Sequence, residues 1–121
     1  MKINLKGSNL ALTPQIREYL DTRLAHLQKF LPEGDDASVI DVELGKPTNH
    51  HHTGDIFRAE INVNIGSRTF RAVSEQQDLF AAIDDMKDEI ARELSSEKEK
   101  RISLVRRGGQ KLKNLLRTFY K

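Results

Sequence analysis

The residues in this 121-residue sequence that could do chemistry fall into a few groups. His50, His51 and His52 form a run, with Asp55 close behind. Imidazoles bind transition metals, but consecutive loop histidines cannot all face one ion. No further histidine or acid stands at a familiar ligand spacing, so no metal site is expected. The run reads as a polar loop whose imidazoles can stack on, or hydrogen-bond to, RNA. Asp84, Asp85, Asp88 and Glu89 form an acidic group. Paired acid–base catalysis needs burial that drives two pKa values apart, and so polar a stretch reads as a solvated helix face. Ser8, Ser38, Ser67, Ser74, Ser95, Ser96 and Ser103 lie in no nucleophile-elbow context. Gly108-Gly109 lacks the strand and the Gly-Lys-Ser/Thr ending of a phosphate loop. With no convergent nucleophile, base and stabilising donors, the chain is not expected to be an enzyme, to hold a cofactor or to take a small-molecule substrate.

The basic residues carry more information. The body has Lys6, Arg17, Arg23, Lys29, Lys46, Arg58, Arg68, Arg71, Lys87 and Arg92. From Arg106 to Lys121 there are six basic residues and no acidic one, among them Arg107, Lys111, Lys113 and Arg117. The net charge of +2 therefore hides an asymmetry, because residues 1–105 set fourteen basic against eighteen acidic side chains and carry about −4. A basic end of this kind seeks a polyanion, either nucleic acid or an anionic membrane. Phosphate binding needs cations held on a rigid surface, each releasing counterions on contact. A structured RNA read through backbone and shape suits scattered arginines and lysines without an aromatic platform. The aromatic signature of RNA-recognition-motif domains is absent.

The elements that must position these cations are legible from periodicity. In residues 2–7, Ile3 and Leu5 alternate with Lys2, Asn4 and Lys6, which predicts a half-buried strand. Thr13-Pro14 is a helix start, a capping hydroxyl followed by a proline at the first helical position. Ile16, Leu20, Leu24, Leu27 and Leu31 form one apolar stripe, with Pro32 and Gly34 ending the helix. Ser38–Gly45 alternates again and predicts a second strand. Phe57–Ile65 is the clearest strand, and Gly66-Ser67 turns it into a fourth with Phe70 and Ala72 inward and Arg71 outward. Ser74 with Gln77 reads as a capping box opening a second helix, with Leu79, Ile83, Met86, Ile90 and Leu94 as its stripe. Gly108-Gly109 is expected to break that helix. Beyond it, Leu112, Leu115, Leu116 and Phe119 line a short basic segment expected to order only on a partner.

The expectation is an α+β fold of order βαβββα. A mixed four-stranded sheet has its first two strands parallel, and two helices pack on one face. Residues 1–105 form the domain and 106–121 a basic amphipathic tail. The charge content, the lack of any long apolar run and the lack of an apolar leader in MKINLKGSN predict a soluble, cytoplasmic chain. Absence of cysteine excludes disulfide frameworks and thiolate metal sites.

This order, and particular residues, resemble the ribosome hibernation-promoting factor family, also called ribosome-associated inhibitor or ribosomal subunit interface proteins. The opening strand and helix are similar, with a Gly-x-Asn corner at Gly7–Asn9, then Thr13 and Tyr19-Leu20. Phe57–Glu75 resembles the family's central hairpin, and Asp78–Asp84, DLFAAID, resembles its motif of Asp, an apolar residue, an aromatic and Ala-Ala-Ile-Asp. The resemblance spans residues 1–94. It implies a fold like that of double-stranded-RNA-binding domains and no catalysis. It also implies binding to the small ribosomal subunit and its rRNA in the channel for messenger and transfer RNA, which keeps idle ribosomes inactive and regulates translation in stress. It makes Arg23, Lys29, Lys87 and Arg92 candidate contacts. Joined to Lys6, Arg68, Arg71, Arg106, Arg107, Lys111, Lys113 and Arg117, these are the expected RNA-binding residues. The sequence departs from the pattern at Glu89, Glu93 and Ser95-Ser96-Glu97, where the family commonly carries cations; the basic stretch from Lys98 onward is expected to compensate. The family's long form has a carboxy-terminal dimerisation domain, so this chain reads as a short form, monomeric when free. A competing reading makes the tail a protein-interaction helix docking in a partner's groove, or a membrane-surface binder.

Overall fold

A computed structural model describes residues 1–34, 37–47 and 56–119, with no side-chain description for Val105 or from Gln110 onward. The His50–His52 run and Asp55 lie outside the described residues. The elements are β1 (Lys2–Ser8), α1 (Pro14–Ala25), a 3-10 turn at Gln28–Phe30, β2 (Ser38–Gly45), β3 (Phe57–Ile65), β4 (Arg68–Gln76) and α2 (Leu79–Phe119). The sheet order is β1-β2-β3-β4. β1 and β2 are parallel, whereas β2–β3 and β3–β4 are antiparallel. This is the expected βαβββα arrangement.

Alternation decides which side of the sheet is covered. Ile40, Val42 and Leu44 of β2 lie in register with Val63, Ile61 and Ala59 of β3, and all six are buried. Onto this face pack Ile16, Leu20, Leu24 and Leu27 from the first helical segment and Leu79, Ala82, Ile83, Met86, Ile90 and Leu94 from α2. α1 starts as expected, with the Thr13 hydroxyl accepting from the Ile16 amide at 3.2 Å. The β3–β4 loop turns on Gly66 at φ +60°, a left-handed conformation that costs other residues about 1–2 kcal/mol.

Three boundaries differ from the sequence reading. α1 stops at Ala25 rather than continuing to Leu31, and the chain tightens into the 3-10 turn. Leu31 is extended (φ −101°, ψ 151°) because Pro32 disfavours the helical region for the residue before it. Ser74 does not open α2. It is buried within β4, where pairing with β3 runs on to Phe57↔Gln76 and holds residues 74–76 extended. Asp78 caps the helix instead, accepting from the Ala81 amide at 3.0 Å. Gly108-Gly109 does not break α2, which passes through both to Phe119. Each glycine costs about 1 kcal/mol relative to alanine, a local penalty that a helix already nucleated over about eight turns absorbs.

Candidate nucleic-acid interface

The cations divide by what they touch. Arg23 on α1 is held by α2. Its Nε donates to Asp84 Oδ1 at 2.8 Å and its Nη2 donates to Tyr19 Oη at 3.0 Å. Tyr19 Oη donates to both Asp84 oxygens, at 2.9 and 2.8 Å, and the Tyr19 ring meets Phe80 edge-on at 4.7 Å. The hydrogen bond to Asp84 holds the Tyr19 phenol above its ordinary pKa, with desolvation adding and Arg23 opposing. Arg23 is raised for the same reason, its hydrogen bonds to Asp84 and then Tyr19. Desolvation pushes the Asp84 carboxyl up, but hydrogen bonds from Arg23 and Tyr19, with the Arg23 and Lys87 charges, outweigh it and leave the group below the usual carboxylate range. Asp78, Phe80, Ala82, Ile83 and Asp84 of the DLFAAID motif thus cap α2, fill the core and latch α2 to α1.

The open face of the sheet is charge-balanced. Lys2, Lys6, Arg58 and Arg71 share it with Asp41, Glu43, Glu60 and Glu75, by strand alternation and register. Arg71 binds Glu60 through Nε at 2.7 Å and Nη2 at 2.6 Å, and Arg58 bonds the same carboxylate at 3.2 Å. Lys6 is exposed and lines a shallow depression with Asp41, Glu43 and Glu60. Arg68, at the hairpin end, pairs with Glu97 of α2. Lys87 is half-buried and pairs with Asp88 at 2.7 Å. Arg92 is exposed, lines one shallow depression with Phe30 and another with Phe70 and Glu97, and forms no ion pair among the described residues.

The free cations converge elsewhere. Beyond Leu94, α2 runs past the 3-10 turn, and Lys98 Nζ donates to the Lys29 carbonyl at 2.8 Å. Between them lies a groove of about 790 Å³, walled by residues 28–33 and by Lys98, Arg101, Ile102 and Arg106. Lys29, Lys98, Arg101 and Arg106 face one acid, Glu33. Phe30, Leu31, Pro32 and Ile102 supply an apolar floor, with Ile102 42% exposed. Lys29 Nζ stands 5.1 Å from the Phe30 ring centroid. Of the expected RNA-binding residues, the groove gathers Lys29 and Arg106; Arg107 is exposed outside its lining. Lys111, Lys113 and Arg117 have side chains outside the described residues. Sequence reasoning did not place Arg101, Phe30 or Ile102. The available signal was the Lys98, Arg101, Ile102, Arg106 spacing, one face of a helix, which lies beyond Leu94, the last residue of the apolar stripe.

Among the described residues no group of histidines and acids is placed to hold a metal ion, and no helix is long and apolar enough to cross a membrane.

This fold and this distribution of cations can be set beside known proteins. The model of the Sigma 54 modulation protein / S30EA ribosomal protein family matches residues 3–102. The chain belongs to that family. A ribosome hibernation promoting factor of Escherichia coli (strain K12) is 33% identical over 100 residues, covering 83% of this chain and 96% of the relative. A ribosome hibernation promotion factor of Picosynechococcus is 35% identical over 104 residues, and this chain spans 50% of that relative's length. The Thermus thermophilus Protein Y N-terminal domain superposes with a TM-score of 0.63 at 32% identity, covering 78% of this chain and 96% of that one. A ribosomal subunit interface protein from Coxiella burnetii shares the fold, with a TM-score of 0.65 at 19% identity over 82% of this chain and 99% of the other. This S30EA-family chain is therefore a homologue of ribosome hibernation factors. The matched span includes Lys98, Arg101 and Ile102 and ends before Arg106.

Proposed function

We propose that this chain silences idle ribosomes by docking on the small ribosomal subunit, in the channel for messenger and transfer RNA. The observation that carries the proposal is the cationic groove between the 3-10 turn and α2, in a homologue of ribosome hibernation factors. Arg23, Arg68 and Arg71 have their charge offset inside the fold, so Lys29, Lys98, Arg101 and Arg106 are the cations best placed for phosphates. Docking there excludes transfer and messenger RNA by occupancy, without catalysis. Residues 1–105 provide the docking body and 106–121 add cations that strengthen it.

Sedimentation with small ribosomal subunits at low and high salt tests this. Comigration at low salt, weakened by added salt and by transfer RNA, is expected. No comigration at low salt sinks the proposal. Deleting residues 106–121 weakens comigration without abolishing it; complete loss assigns binding to the tail alone.

A further inference from the structure

The groove contains more than phosphate binding requires. A duplex presents phosphates and sugars outward and keeps its base faces stacked inside, so it has no use for an apolar floor. Here Phe30, half-buried against the core with the Lys29 ammonium over its ring, and an exposed Ile102 share the lining with the cations Lys29, Lys98, Arg101 and Arg106. An aromatic ring flanked by basic residues is the arrangement that takes an unpaired base on the ring and its phosphates on the cations. A groove of about 790 Å³ lies within the size range of small-molecule sites, which makes room for a nucleotide. We infer that the groove between the 3-10 turn and α2 is a binding site for an unpaired nucleotide of single-stranded RNA, with the base against Phe30 and Ile102. The choice of RNA over another polyanion rests on the proposed ribosomal role. Phe30 reaches this position because the helix gives way to the 3-10 turn at Gln28.

The probe is a fluorescent six-nucleotide single-stranded RNA, compared with an abasic strand carrying the same phosphates and with a blunt RNA duplex. Binding to the full-length chain is measured by anisotropy at two salt concentrations. The base-containing strand is expected to bind at least about fivefold tighter than the abasic one, since stacking on an aromatic ring contributes roughly fivefold to 150-fold per base. That ratio persists at high salt, while both affinities fall. Phe30→Leu keeps apolar bulk and lowers the ratio towards one; Phe30→Tyr keeps the ring and restores it. Thermal melting of each variant reports folding, and the wild-type comparison stands without either variant. Equal affinity for the abasic and base-containing strands overturns the inference. So does an unchanged ratio in folded Phe30→Leu. So does an acidic phenylalanine-bearing peptide that displaces both strands alike, where no base preference is found. Comigration with small subunits without base preference overturns this inference and leaves the ribosomal role standing. Base preference without comigration does the reverse.

Discussion

Replacing Arg101 and Arg106 together by glutamine isolates the contribution of the groove. Both side chains are exposed and form no ion pair among the described residues, so the fold is expected to persist. Each phosphate neutralised contributes about 0.7–0.9 to the slope of log K against log salt. Four groove cations, each on one phosphate, give a slope of about −3, and hence about a 60-fold loss of affinity between 50 and 200 mM salt. The double variant retains Lys29 and Lys98, so its groove contributes about −1.5, or about an eightfold loss over the same range. Contacts made elsewhere add equally to both proteins. The difference in slope, about 1.5, is thus specific to the groove. The assay is titration of labelled protein with small ribosomal subunits at four or more salt concentrations. A double variant whose slope equals that of the wild type refutes the assignment of these cations to phosphates.

Four further outcomes follow from the fold. Asp84→Asn removes a carboxylate whose pKa is depressed in the folded state, so its stabilisation is present above the unfolded pKa and lost as pH falls through the folded one. Urea melts should show a wild-type advantage at neutral pH that shrinks below the ordinary carboxylate range, and a gap independent of pH contradicts the latch. Ile90→Ala empties a fully buried position and should cost about 2–5 kcal/mol by chemical denaturation. Gly45→Ala places a Cβ 2.5 Å from the Ser8 carbonyl oxygen and must push β1 from β2, so its melting temperature should drop clearly; an unchanged one excludes the close approach. Gly108→Ala with Gly109→Ala meets nothing within 4 Å and should stabilise that stretch of α2 by about 1 kcal/mol per position in thermal melts while leaving the ellipticity at low temperature nearly unchanged; a large rise in ellipticity argues against a continuous α2.

The strands and helix faces were legible because burial imposes a period, two in strands and 3.6 in helices, on neighbouring residues. Ile40, Val42, Leu44 and Leu79 to Leu94 needed nothing further. The errors arose where a local signal met a remote competitor. Ser74 and Gln77 satisfy a capping pattern, but the β3 ladder claims Ser74. DLFAAID was legible as a family resemblance, yet its physical meaning required knowing that Asp84 meets Tyr19 and Arg23, more than sixty residues earlier in the chain.

By itself the sequence determined the order of elements, the parallel and antiparallel pairings, the identity of the core and the excess of positive charge at one end. Only the tertiary structure decided which cations are free. Arg23, Arg68 and Arg71 meet Asp84, Glu97 and Glu60 through packing between separate elements, and ion pairing depends on distance in space. The groove likewise joins Lys29 and Lys98, 69 residues apart in the chain, because α2 continues past its last core residue and lies against the turn that ends the first helix. Periodicity is a property of neighbours along the chain and carries no record of that meeting.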